Sequence, residues 1–260
     1  MSYAQAVVLG VVQGLTEFLP ISSSGHLILV PHVFGWPDQG LAFDAVMHLG
    51  TLAALFGYFR SELLAMAAGT MSRRVALILV IATIPAGLVG VLFGSVVETS
   101  LRAPVVIAVS TALWGVVMWL ADRRARAAAE AGEALERVTW GQGVTVGLAQ
   151  ALALIPGTSR SGITITTGLL GGLDRATAAR FSFLLGIPVT AAAGGLKTMQ
   201  MLKAGVPAGD LGPLVAALLA AFVSGWFAVW FLVSYLKRRS LTPFVIYRLL
   251  LAAVIVAVAL

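Results

Sequence analysis

Residues Gln13 to His26 read QGLTEFLPISSSGH. The stretch lies inside a hydrophobic run, yet it holds a carboxylate (Glu17), three consecutive hydroxyls (Ser22, Ser23, Ser24) and an imidazole (His26). Polar groups at membrane depth are costly and usually functional. Pro20 and the serines break the run, and an apolar segment, LILVPHVF, follows. Ser and Gly at such a junction suit the start of a helix. A second stretch, Gln150 to Thr164 (QALALIPGTSRSGIT), repeats the arrangement and adds a guanidinium, Arg160. The two are expected to meet in one pocket that handles a phosphate-bearing substrate.

Outward from these stretches the chain is apolar throughout. Of its 260 residues 59% are hydrophobic and 11% charged, with mean hydropathy +0.98. A soluble domain carries roughly 25% charged residues, so the chain is read as an all-α polytopic membrane protein, residues 1–260 forming a single integral membrane domain. A net charge of +6 would suggest nucleic acid in a soluble protein. Here the basic residues cluster in short loops, as orientation in a bilayer requires, and no nucleic-acid partner is expected. The absence of cysteine excludes disulfides, thiol catalysis and Cys-ligated metals. The N-terminus lacks the basic region of a cleaved signal peptide and is taken as part of the mature fold.

A spanning helix needs about 20 mostly apolar residues. Six transmembrane helices are expected at about 41–59, 75–97, 103–121, 178–200, 211–236 and 241–260. Regions 3–36 and 140–173 are apolar too but break in the middle, at Pro20 and at Pro156-Gly157. Each reads as a re-entrant helix pair, because non-helical backbone at that depth survives only inside protein or beside a watery cavity. With this topology twelve of the 17 basic residues fall on one face, which the positive-inside rule makes cytoplasmic. Both termini then face outward, the first re-entrant pair enters from outside and the second from inside. Residues 122–139 read as a cytoplasmic helical connector between halves at about 1–121 and 140–260. The halves resemble each other: Gln5, Gly10, Gln13, Ser24 and Gly25 match Gln142, Gly147, Gln150, Ser161 and Gly162 at one constant offset of 137. Opposite entry sides make this an inverted-topology repeat, which places binding sites where broken helices meet.

Gln13 and Glu17 stand four apart and share a helix face. Free N–H groups at a helix start, together with hydroxyl donors, attract phosphate. Ser22, Ser23 and Ser24 supply the hydroxyls at the first junction; Gly157, Thr158, Ser159, Ser161 and Thr164 form the second. Arg160 can grip phosphate bidentately; its bland alternative is a structural pair with Glu17 or a helix-end carbonyl. Asp44 and His48, one turn apart, could hold a metal or a water, with capping or orienting of the helix end as the more ordinary role for Asp44. His32 and Arg248 read as interfacial or structural.

QGLTEFLPISSSGH and PGTSRSGIT resemble the two signature regions of bacterial undecaprenyl-diphosphate phosphatases of the bacitracin-resistance type. The resemblance covers nearly the whole chain, including FDAVMHLGT from Phe43. It implies six spans with two re-entrant pairs in an inverted repeat. It also implies hydrolysis of undecaprenyl diphosphate to the monophosphate carrier and inorganic phosphate on the outer side of the bacterial cytoplasmic membrane, with a divalent cation, Mg²⁺ or Ca²⁺. By motif, Ser23 matches the nucleophile, His26 the essential histidine, and Ser159, Arg160 and Thr164 the phosphate-binding residues. Glu17 is the acidic residue that orients His26 or helps hold the metal, and Gln13 stands where many members carry Glu, which removes one carboxylate from any two-carboxylate site. The expected catalytic set is Glu17, Ser23, His26 and Arg160, with either Ser23 or a water attacking. The expected partners are a polyprenyl diphosphate lipid and the bilayer, with a homodimer as the one further assembly allowed for.

The rival class is an inverted-repeat transporter of polyprenyl phosphate or another organic anion. Such a carrier needs the arginine and the helix starts but has little use for a nucleophile and a base.

Overall fold

The first junction lies where the sequence expects it. In the computed structural model, which describes residues 1–101, 103–125, 135–205 and 209–259, helix α1 (Tyr3–Phe18) ends before Pro20 and α2 (Ser23–Phe34) begins after the serines. The second junction is its counterpart: α7 (Trp140–Ala151), a short 3-10 turn (Leu152–Leu154), then α8 (Arg160–Leu170). The remaining helices are α3 (Gly40–Tyr58), α4 (Arg60–Ala67), α5 (Arg73–Ser100), α6 (Pro104–Arg124), α9 (Arg175–Ala204), α10 (Leu211–Leu236) and α11 (Thr242–Ala259). The described residues form no strand, and the protein is an all-α polytopic membrane protein. Among the described residues four helices are long and apolar enough to cross a bilayer, at Arg73–Gly94, Pro104–Arg124, Arg175–Lys203 and Leu211–Leu236. Helices α3 and α11, of 19 and 18 residues, occupy the other two expected positions. The short α4 was not expected. Most of the expected connector helix, residues 126–134, lies outside the described residues.

Packing gives physical content to the constant offset of 137. Helix α1 packs on α10 and α7 on α5, so the first re-entrant helix of each half lies against a span of the other half; α3 pairs with α9 and α6 with α11. Three of the five matched pairs repeat a structural device. Gln5 and Gln142 close capping boxes, their side chains accepting from the backbone N–H of Ser2 (3.0 Å) and Thr139 (2.9 Å). Gly10 and Gly147 let backbones touch: a Cβ added at Gly10 would lie 2.3 Å from Ala217 O, and one at Gly147 2.4 Å from Ala82 O. Between membrane helices, where water drives nothing together, such close approach is the main source of attraction. The backbone N–H groups of Gly25 and Gly162 donate to the cap hydroxyls of Ser22 (3.4 Å) and Ser159 (3.1 Å).

A test follows from this contact. Gly147→Val puts branched carbon against backbone that cannot give way, and is expected to cost about 1–3 kcal/mol of stability, read as a lower thermal midpoint in detergent. Gly87→Ala, where an added Cβ meets nothing within 4 Å, is the matched control. An unchanged midpoint in the Gly147→Val variant would show that α7 and α5 do not pack this closely.

Loops expected to share a face do so. Asp122 accepts from Arg175 Nε (2.6 Å) and from the Leu241 backbone (3.0 Å), Arg180 pairs with Glu62, and Arg74 donates to the Glu136 carbonyl. At the other end the N-terminal ammonium of Met1 meets Asp210 at 3.3 Å.

Candidate active site

The sequence places Glu17 in the last turn of α1 because Pro20 ends that helix three residues later. Phe18 beside it is fully buried and meets Phe183 of α9 edge-on at 5.5 Å, which fixes the turn against the core. The Glu17 carboxylate is 8% exposed and has four neighbouring donors. Oε2 accepts from Ser23 Oγ at 2.9 Å and from Gln13 Nε2 at 3.3 Å, and His48 Nε2 stands 3.5 Å from it. Oε1 accepts from Arg160 Nη2 at 3.0 Å. The two stretches that looked alike in sequence therefore meet through an ion pair between residues 143 apart.

Arg160 donates its other bond, from Nη1, to the Ser182 carbonyl at 3.1 Å. A Cβ on Gly186 would lie 2.1 Å from Nη1, so glycine at that position makes room for the guanidinium. The structural pair weighed as the ordinary alternative for Arg160 is thus present. It does not use up the residue, because three of the five N–H bonds of a guanidinium remain for an anion.

His26 is held elsewhere. Its Nδ1 lies 2.7 Å from the Ser22 carbonyl, which can only accept, so Nδ1 carries the proton. In the neutral ring Nε2 then accepts from the Tyr247 hydroxyl at 2.6 Å, and the two rings stack at 5.5 Å. This corrects the expectation that Glu17 orients His26: Ser22 and Tyr247 do so, and the histidine beside Glu17 is His48. The Nδ1–H of His48 donates to the Asp44 carbonyl at 2.7 Å, turning Nε2 toward Glu17.

Most of the expected phosphate-binding hydroxyls have partners within the protein. Ser24 Oγ accepts from Gly157 N at 3.2 Å and bonds Ser22 Oγ at 3.2 Å. Thr158 Oγ1 bonds Ser110 Oγ at 2.9 Å, and Ser161 Oγ donates to the Glu17 carbonyl at 3.2 Å. Thr164 Oγ1 donates to Arg160 O at 2.7 Å and meets Ser182 Oγ at 2.6 Å. Ser159 caps α8 and reaches Ser161 Oγ at 3.3 Å. Gly157 has φ +90 and sits where a Cβ would be 2.4 Å from Ile107 O. These contacts stitch the two junctions together. What they leave for an anion is the unbonded N–H groups and positive dipole ends of α2 and α8. The caps themselves, Ser22 (φ 74) and Ser159 (φ 69), are the only non-glycine residues at positive φ among the described residues, and they too are 137 apart. Such strain gathers at functional sites.

Four residues escaped the sequence reading as parts of the site. In sequence His48 pairs only with Asp44, for a metal or a water. Ser182 and Tyr247 gave no signal, since one serine or tyrosine in an apolar helix is ordinary. Arg248 does give one, a charge inside an apolar span, which in sequence reads as interfacial or structural; it is fully buried and bonded to both junctions.

An all-helical membrane protein whose broken helices bring a serine, a carboxylate and an arginine to one point belongs among proteins that handle phosphorylated lipids. A family profile for Bacitracin resistance protein BacA matches residues 6–254, and the chain belongs to that family. It is 45% identical over 265 residues to undecaprenyl-diphosphatase 2 of Stutzerimonas stutzeri (strain A1501), covering 98% of this chain and 97% of that protein. It is 46% identical over 265 residues to the undecaprenyl-diphosphatase of Moorella thermoacetica, covering 99% and 98%. Over 272 residues it is 43% identical to that of Pelobacter propionicus, covering 100% and 98%.

Proposed function

We propose that the protein hydrolyses undecaprenyl diphosphate to undecaprenyl phosphate and inorganic phosphate, recycling the lipid carrier for cell-wall synthesis. The observation that carries this reading is the Glu17 carboxylate, bonded by the Ser23 hydroxyl on one oxygen and by Arg160 on the other. Nucleophile, base and phosphate clamp share one group. Ser23 Oγ attacks the terminal phosphorus and its proton passes to Glu17 Oε2. The anhydride P–O bond breaks, and the lipid monophosphate leaves. Water then cleaves the phosphoserine, releasing inorganic phosphate and restoring the Ser23 hydroxyl. Arg160 and the helix starts stabilise charge on the transferring phosphoryl group, which is most of what such a reaction needs. His26, with Nδ1–H tied to Ser22, offers Nε2 as proton acceptor for that water, in exchange with Tyr247.

The prenyl tail enters from the bilayer. An apolar groove lined by Gly25, Ile28, Leu29, Pro104, Ile107 and Ile255 opens beside the first turn of α2 and supports this route. The sequence orientation supports a site open to the outer side of the bacterial cytoplasmic membrane: the positive-inside rule makes the basic loops cytoplasmic, and the first re-entrant pair then enters from outside. A carrier reading leaves the Ser23–Glu17 bond and the His26–Tyr247 pair without a use.

A divalent cation, Mg²⁺ or Ca²⁺, belongs to the proposal. Gln13 Oε1 is buried with no hydrogen-bond partner and sits on the residue bonded to Glu17. That amide oxygen and the Glu17 carboxylate would hold the ion, and both are the hard oxygen donors such cations take. Among the described residues no group of three acidic, His or Cys side chains is placed to hold a metal ion by itself. Mg²⁺ is commonly held by one or two carboxylates with phosphate oxygens completing its shell. Bound there, it would neutralise charge on the diphosphate. Gln13→Glu is expected to lower the Mg²⁺ concentration for half-maximal activity by about tenfold, since site charge tunes such affinities. An unchanged or higher requirement would remove Gln13 from the cation site.

Phosphate release from undecaprenyl diphosphate by purified protein in detergent tests the whole reading. Release that is absent above background, by protein that remains folded, would return the carrier to first place.

A further inference from the structure

Arg248 is one of the largest fully buried side chains, at 0% exposure, and no carboxylate bonds to it among the described residues. Its partners are four backbone carbonyls. Nε donates to Thr111 O at 3.0 Å, Nη1 to Pro20 O at 3.3 Å, and Nη2 to Gly157 O at 2.9 Å and Thr158 O at 3.1 Å. Pro20 belongs to the first junction, Gly157 and Thr158 to the second, and Thr111 to α6. One side chain from α11 thus bridges both broken hairpins. A guanidinium buried without an anion is tolerated only where charge-assisted bonds satisfy it, and its planar fork reaches three directions at once.

What Arg248 grips lies next to the two strained residues. Thr158 directly precedes Ser159 (φ 69), and Pro20 stands two before Ser22 (φ 74). Residues in such conformations persist only when their surroundings over-determine them. A peptide unit is planar and trans, so turning the Thr158 carbonyl to Arg248 turns the Ser159 N–H the opposite way, clear of the clamp. Arg160, which follows, carries the guanidinium bonded to Glu17.

Resting on the function proposed above, we infer that Arg248 is a positioning residue for the diphosphate site: it locks the Ser22 and Ser159 turns in register and keeps a fixed positive charge beneath them. It touches neither Glu17 nor Ser23 and acts through the two turns. Lysine in its place would keep the charge but lose the fork.

The test compares wild type with Arg248→Lys and Arg248→Met. It reads phosphate release from undecaprenyl diphosphate and the thermal shift produced by inorganic pyrophosphate. A misplaced site commonly costs about 100-fold, so Arg248→Lys is expected to keep its fold and lose kcat by about that factor. Its KM should change less than about threefold, because the prenyl contacts remain. The pyrophosphate shift should shrink in Arg248→Lys and vanish in Arg248→Met. A purely structural role would lower the midpoint of both variants and leave Arg248→Lys with wild-type kcat and a wild-type pyrophosphate shift; that result overturns the inference. If neither variant folds, Gly162→Ala decides. Its Cβ would lie 3.2 Å from Arg248 Nη1 and 3.1 Å from Ser159 Oγ, disturbing the clamp in place. A folded Gly162→Ala variant with unchanged kcat and pyrophosphate shift overturns the inference as well. Wild type that releases no phosphate sinks the function proposed above, and the pyrophosphate shift then judges Arg248 alone.

Discussion

Ser23→Ala is expected to abolish phosphate release almost completely, by about 10⁴-fold in kcat, as removal of a nucleophile does when the rest of the site survives. The protein should remain folded. The hydroxyl makes one bond to a charged acceptor, worth about 1.5–3 kcal/mol, while Glu17 keeps Gln13 and Arg160. The prediction separates two mechanisms that share every other residue. If Ser23 attacks, substrate labelled on its terminal phosphate leaves label on a peptide containing Ser23 after an acid quench, and Ser23→Ala leaves none. If water attacks directly, the variant keeps activity within about tenfold, the loss being that of one hydrogen bond. Geometry favours the covalent route. The Ser23 hydroxyl already donates to the Glu17 carboxylate at 2.9 Å, the contact that a serine nucleophile and its base need. Glu17→Gln should therefore slow formation of the phosphoserine, whereas His26→Asn should slow its hydrolysis and let label accumulate.

The architecture was legible because membrane depth makes each polar residue conspicuous. Pro20 and Pro156 mark where two helices must break, and the 137-residue offset marks the same devices used twice, down to the capping boxes of Gln5 and Gln142. The meeting of Glu17 with Arg160 was legible for the same reason, since a buried carboxylate and a buried guanidinium each need a counterpart. The division of labour was not. Ser24, Thr158, Ser161 and Thr164 look like phosphate donors in a motif, yet their hydroxyls bind the two junctions to each other and to α6 and α9. A hydroxyl carries no mark in sequence of whether it serves substrate or backbone. Likewise His26 is the histidine nearest Glu17 in sequence, yet backbone geometry brings the distant His48 beside it instead. Each ring is aimed by a carbonyl one turn earlier, Asp44 or Ser22, and the different positions of α3 and α2 send one toward Glu17 and the other toward Tyr247.

The repeat is also unequal, and the inequality is where the chemistry lies. Position 17 in the first half is glutamate; its counterpart at 154 is leucine. Position 23 is serine; its counterpart at 160 is arginine. Position 26 is histidine against Ile163. On the proposed mechanism, one scaffold used twice places nucleophile, base and imidazole on one junction and the anion clamp on the other. The site exists only where the halves meet, and neither hairpin holds it alone.

That division gives the second large effect. Arg160→Ala is expected to lower kcat by about 10³-fold or more, the range in which an arginine clamp acts on a transferring phosphoryl group. Arg160→Lys should restore little, because a single ammonium cannot bond Glu17 and Ser182 while also gripping phosphate through a planar fork. The alanine variant should also lose stability. Glu17 would remain buried, and breaking one side of such a pair costs about 3–5 kcal/mol. The combined change Glu17→Gln with Arg160→Met removes both charges. It should recover most of that stability and none of the activity. Thermal midpoints in detergent beside phosphate release separate the two effects. A double variant as unstable as Arg160→Ala would mean that the arginine matters for packing and not for its charge. Full turnover by Arg160→Lys would move the phosphate clamp to another residue.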